Sequence, residues 1–128
     1  MKISIQTIPS ESQRYPTSGD WIIHSNGDID IFVSKMNDWR YEVLVAFHEL
    51  CEVLICKHIG ISQESVDEFD IKFEKDRENG LHSKYEEPGD HCDAPYRIPH
   101  FISTNCERIL ALALGVDWYK YESCVENL

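Results

Sequence analysis

Positive charge is scarce in this chain: 12 Lys and Arg stand against 23 Asp and Glu, for a formal net charge of −11. That balance excludes a general nucleic-acid binder, which needs a basic footprint against phosphate, and a peripheral protein held by anionic lipid. No apolar run approaches the ~18 residues of a membrane span. The opening residues, MKISIQTIPSESQ, lack the apolar core of a secretion signal, so a cytoplasmic location is expected. No two of the five cysteines (Cys51, Cys56, Cys92, Cys106, Cys124) have CxxC spacing. This argues against a cysteine-rich zinc finger and for reduced, mostly buried thiols. A glycine-rich phosphate loop and a GxSxG elbow are also missing.

What is present is enough for a packed core. Of 128 residues, 42% are hydrophobic, and this length fits a single domain over residues 1–128. Residues 2–8 alternate apolar and polar and read as a strand. Residues 9–19 hold Pro9, Pro16 and Gly19 and read as loop. WIIHS (21–25) and IDIFVS (29–34) flank Asn26-Gly27, a turn signal with positive φ, and predict a hairpin. Asp38 is placed to cap a helix from Trp39 to about His58, with Gly60 past its end. Ser62 caps a second helix that ends near Asn79-Gly80 and packs on one side through Val66, Phe69, Ile71 and Phe73. Residues 80–99 form a long loop of the functional kind. Pro99 at N1 starts a third helix to Leu114, and Asp117 caps a fourth. Trp21, Trp39 and Trp118 are expected in the core or at its edge. The predicted fold is α+β: a small antiparallel sheet of one N-terminal strand plus the hairpin, packed on three to four helices.

The chemistry is concentrated on two of these helices. The first carries His48-Glu49-Leu50-Cys51-Glu52. At about 100° per residue, His48 and Glu52 share one face, among Leu44, Val45, Cys51 and Ile55. A second apolar arc, Val43, Phe47, Leu50 and Leu54, leaves only a narrow sector with Glu42, Glu49 and Lys57 for water, so the helix is expected to be buried on most sides. A buried carboxylate costs several kcal/mol unless it is paired, hydrogen-bonded or metal-bound. The third helix offers the partner: His100 and Glu107 share one of its faces, two turns apart. If the faces meet, two His and two carboxylates converge, the ligand types of zinc, with manganese or iron as alternatives. In this reading His48, Glu52 and His100 are ligands and Glu107 is a fourth ligand or an orienting group. Glu49, next to His48, is the general base for an activated water, as in the zinc-hydrolase HExxH motif. Tyr96 and Arg97, just before His100, are candidates to steady an anionic substrate or oxyanion. The bland alternative is a hydrogen-bonded core pair at His48 and Glu52, with His100 and Glu107 satisfied locally.

The acid is uneven: residues 61–95 hold 11 Asp and Glu against 4 Lys and Arg. This is a solvated face or a surface offered to a basic partner.

The run YEVLVAFHELCEVLICKHIGI, with VDEFDIKFE, EPGD, APYR, PHF and ERILALALGVDW, resembles small proteins encoded by bacteriophages and prophages. That resemblance implies a bacterial host cytoplasm and no particular mechanism. The strands followed by an HE-bearing helix look like the core of minimal zincin metallopeptidases, with His48 and Glu49 matching first ligand and base and Glu52 standing where the second His would be. The Glu49/Glu52 pair is also similar to one ExxE of the all-helical nucleotide pyrophosphohydrolases. Three functions are therefore expected candidates. The first is a metal-dependent hydrolase acting on a small molecule or peptide. The others are a non-catalytic acidic phage protein that binds and inhibits a basic host protein, and a nucleotide pyrophosphohydrolase.

Overall fold

The computed structural model describes residues 1–128 and has the expected α+β architecture. Three strands, β1 (Ile3–Ile8), β2 (Gly19–Ile23) and β3 (Ile29–Ser34), precede four helices. These are α1 (Trp39–Ile59), α2 (Gln63–Glu78), α3 (Arg97–Ala113) and α4 (Trp118–Glu126). No helix is long and apolar enough to cross a membrane.

The sheet order is β1-β3-β2. β2 and β3 form the hairpin, antiparallel, with Gly27 at φ 91° in its turn. β1 pairs with β3 in parallel, Ile3 beside Ile29 and Ile8 beside Ser34. The sheet is therefore mixed rather than antiparallel. The ten residues from Pro9 to Ser18 arch over the end of β3, so β1 reaches its far edge. β3 is the central strand, and it can be, because Ile29, Ile31 and Val33 are all fully buried against α1.

Side chains close the helix ends as their sequence requires. The Asp38 carboxylate accepts from the Arg40 amide at 2.9 Å, Ser62 Oγ from the Ser65 amide at 3.2 Å, and Asp117 from the Lys120 amide at 3.1 Å. Gly60 takes φ 83° past α1, a backbone state that costs a residue with Cβ about 1 kcal/mol or more. α3 begins at Arg97, two residues before the expected Pro99 start. Proline is tolerated throughout the first turn, where no amide has an intrahelical acceptor.

The core lies between the sheet, α1 and the inner faces of the other helices. All five cysteines are free, and only Cys56 is fully buried. Trp21 is in the core and Trp118 at its edge, but Trp39 is exposed at the start of α1, where the helix projects past the sheet. The second apolar arc of α1 is only partly buried: Leu50 packs against the core and Phe47 is half-buried, while Val43 and Leu54 face outward. The sheet covers one side of α1 and α3 another, and no element covers the third.

Candidate metal centre

α1 and α3 run antiparallel in contact; Arg40, at the start of α1, reaches the Leu114 carbonyl at the end of α3 (3.3 Å). This packing turns the two charged faces toward each other. His48, Glu52, His100 and Glu107 are all buried. His48 Nε2, His100 Nδ1 and Glu52 Oε2 form a triangle with edges of 3.1, 3.1 and 3.2 Å.

Each group is held from behind by its other polar atom. His48 Nδ1 lies 2.8 Å from Glu107 Oε2. Tyr121 from α4 donates to the other Glu107 oxygen. Glu52 Oε1 accepts from Trp21 Nε1 of β2 at 3.0 Å. His100 Nε2 faces Glu87 Oε2 at 3.2 Å and Asp90 Oδ1 at 3.3 Å. With those outward nitrogens protonated, His48 Nε2 and His100 Nδ1 each present a lone pair to the Glu52 oxygen. As neutral imidazoles the two rings leave three acceptors facing one another without a donor; as imidazolium ions their inward N–H groups donate to Glu52. A proton or a cation must stand between them, because bare lone pairs about 3 Å apart in a buried site repel. For zinc, with bonds of about 2.0–2.1 Å, tetrahedral ligands stand roughly 3.3 Å apart, close to the observed edges. These three residues are thus a group of metal-binding size and type. Glu107 is not part of it; its carboxylate meets the far nitrogen of His48 instead.

The electrostatics follow from this crowding. Burial alone would lower both imidazoles. The Glu107 and Glu52 carboxylates outweigh it and raise His48 to about 10, and Asp90, Glu52 and Glu87 raise His100 to about 12. Burial would raise Glu52, but bonds from His100 and His48 hold it below the usual carboxylate range. Glu49 differs: burial and then the Glu52 charge push its carboxyl well up. Its side chain lies against Gly19, where a Cβ would come within 2.7 Å of Glu49 Cγ and Oε1. The glycine at the start of β2 therefore makes room for this carboxyl.

The triangle opens into a cleft of ≈ 870 Å³ whose lining includes Glu49, Glu52, His48, His100, Trp21 and Tyr96. The loop before α3 forms part of its rim. A short 3-10 turn at Pro88–Asp90, with Glu87 just before it, brings the two acids to His100, and Gly89 rests on the imidazole: a Cβ there would lie 2.4 Å from the ring. Asp90 is thus in contact with the site. Asp93 is exposed and falls in a separate surface group with His91 and Cys92. Tyr96 is buried in the cleft wall and donates to Asp70 of α2. Arg97 is exposed and does not line the cleft, because it sits one residue further round the first turn of α3.

Several contributors have no signal in the sequence. Trp21, Tyr121 and Glu87 come from three other segments and meet the site only through packing. Asp70 had one, since it lies at helical spacing between Val66 and Phe73, an acid inside an apolar stripe as His48 is. Burial raises the Asp70 carboxyl to about 7, against donation from Tyr96 and from Tyr15 (3.1 Å). A folded-state pKa above the unfolded one, about 3.9, means that its contribution to stability is full below about pH 4 and lost as pH rises through 7. Asp70→Asn removes the buried charge, keeps an acceptor for one tyrosine hydroxyl and turns an amide N–H to the other, which can accept it. Thermal melts should show the variant more stable than the parent at pH 8, by on the order of 2 kcal/mol, with the gap closing at pH 4.

No family model, curated protein or solved structure matches the chain, so the site's own geometry carries the functional reading.

Proposed function

We propose that this chain is a metal-dependent hydrolase whose ion is held by His48, Glu52 and His100. The observation that carries the reading is the inward-facing triangle of two imidazole nitrogens and one carboxylate oxygen, each oriented from behind by another residue. Buried polar groups need partners in any role, but metal ligands characteristically have them on the side away from the ion, as each of these three does. Two imidazoles and one carboxylate suit zinc first, then manganese or iron. Three protein ligands leave a fourth direction open toward the cleft, the arrangement of catalytic rather than structural zinc. An ion there supplies Lewis acidity to a water or a substrate oxygen. Glu49, one residue from the first ligand and pushed well above the usual carboxylate range by burial, would take and pass the proton once a cation beside it favours the carboxylate. Tyr96, kept protonated by burial and by the Asp70 charge, donates its hydroxyl to Asp70 and so fixes the cleft wall. The substrate class is a small molecule or peptide.

The test is metal analysis joined to a turnover screen. Protein expressed in zinc-supplemented medium should carry about one ion per chain. Cleavage of a peptide, amide and ester panel should be lost on chelation and restored by zinc. Protein that neither retains nor takes up zinc at micromolar concentration would end the proposal.

The Pro88–Asp90 turn provides a further check. Gly89→Ala places a methyl group against the His100 ring, so the turn must lift and take Glu87 and Asp90 off Nε2. Loss of such an orienting partner costs about 10–100-fold in metal affinity. Competition with a chromophoric chelator should show that loss, with the circular-dichroism spectrum unchanged.

A further inference from the structure

Away from the cleft, the outer surface of the α1–α3 pair carries few charges, Lys57 on α1 and Arg97 and Arg108 beside the apolar residues of α3. α3 turns Ile98, Phe101, Ile102, Ile109 and Leu112 to solvent, 41–83% exposed. At helical spacing these residues form one stripe about 21 Å long, interrupted only by Asn105. Val43 and Leu54 of the antiparallel α1 continue it, and Cys51 and Cys106, in contact between the helices, join the two halves. The same stripe of α3 has no Asp, Glu, Lys or Arg, in a chain that is 27% charged.

We infer that this face is the interface of a homodimer, α1 and α3 of one copy packing on α1 and α3 of a second about a two-fold axis. Three arguments favour a second copy. At the observed exposures the two helices offer on the order of 800 Å² of apolar surface, about what each partner contributes to a standard stable interface and more than the roughly 300–600 Å² patch of an ordinary monomer. An uncharged face has no electrostatic selectivity for a basic or acidic partner, whereas an apolar stripe complements itself. The fold also places the charge elsewhere: the acid-rich α2 and the 80–95 loop lie on the cleft side, so two copies can meet without opposing their net charges of −11 at contact. Long-range repulsion between the copies remains, and salt screens it. The interface is separate from the His48–His100 site and does not depend on its occupant.

Analytical ultracentrifugation of the full chain at 1–100 μM should give twice the 14.9 kDa chain mass, with tighter association at 0.5 M than at 0.05 M sodium chloride. Ile109→Asp with Leu112→Asp, at two of the most exposed positions, should give a monomer with unchanged circular dichroism and zinc content. Phe101→Glu repeats the test at the other end of the stripe. A wild-type monomer throughout this range overturns the inference, as does a dimer that survives both sets of substitutions. A wild-type chain that associates only with a different protein overturns it too.

Discussion

His100→Ala is expected to abolish retention of the single bound ion, while His48→Ala does the same and also strands Glu107. Each substitution removes one of three donor atoms, so the loss must exceed the roughly 10–100-fold that follows from removing an orienting partner. The two variants differ in what they leave behind. Without His100, Glu52 keeps His48 and Trp21 as partners. Without His48, the Glu107 carboxylate loses its partner on one oxygen and retains only Tyr121, so His48→Ala should also be the less stable variant. Leaving a buried acceptor unsatisfied costs about 1–3 kcal/mol, more for a charged group. The wild-type site has a defined pH response. Carboxylates raise His48 to about 10, so binding an ion near neutral pH must displace protons. Affinity should fall as pH falls, by about tenfold per unit for each proton displaced. Calorimetric zinc titrations in buffers of different ionisation enthalpy, from pH 6 to pH 8, measure that number. A pH-independent affinity would place the ion elsewhere.

Glu49→Gln is expected to lower turnover by about 10²–10⁴-fold, the usual contribution of a positioned general base, with zinc content unchanged. The amide has the carboxyl's shape and cannot accept the proton. Its structural cost is small: burial and the Glu52 charge oppose ionisation of Glu49, so a neutral amide fits that environment, and a bound cation would restore the carboxylate that takes the proton. Stability at neutral pH should hold or rise slightly. This pairing of lost activity with intact metal and intact fold separates a base from a ligand. If Glu49→Gln instead lost the ion, Glu49 would be a ligand. If it kept most of its activity, the proton would travel by another residue.

The elements were readable because their signals are local. Asn26-Gly27, Asp38, Ser62, Gly60 and Asp117 each act within a few residues, and each does in the structure what its chemistry implies. The site was half readable for a related reason. Helical spacing places His48 beside Glu52 and His100 beside Glu107, so each helix declares its own buried pair. Glu107 alone could be ligand or support, because that choice turns on which His48 nitrogen it meets. Glu87 was invisible as a site residue, since only the turn over Gly89 brings it to His100.

From sequence alone came the α+β class, the capped helices and the two His/Glu faces, all consequences of backbone periodicity and burial cost. Tertiary packing decided the rest. It put β1 parallel beside β3, set α1 antiparallel to α3 so that the two faces share one interior, and left the opposite faces of both helices bare. These are long-range choices. Their energies come from surfaces far apart in the chain, and a residue's neighbours along the backbone do not encode which distant surface it will cover.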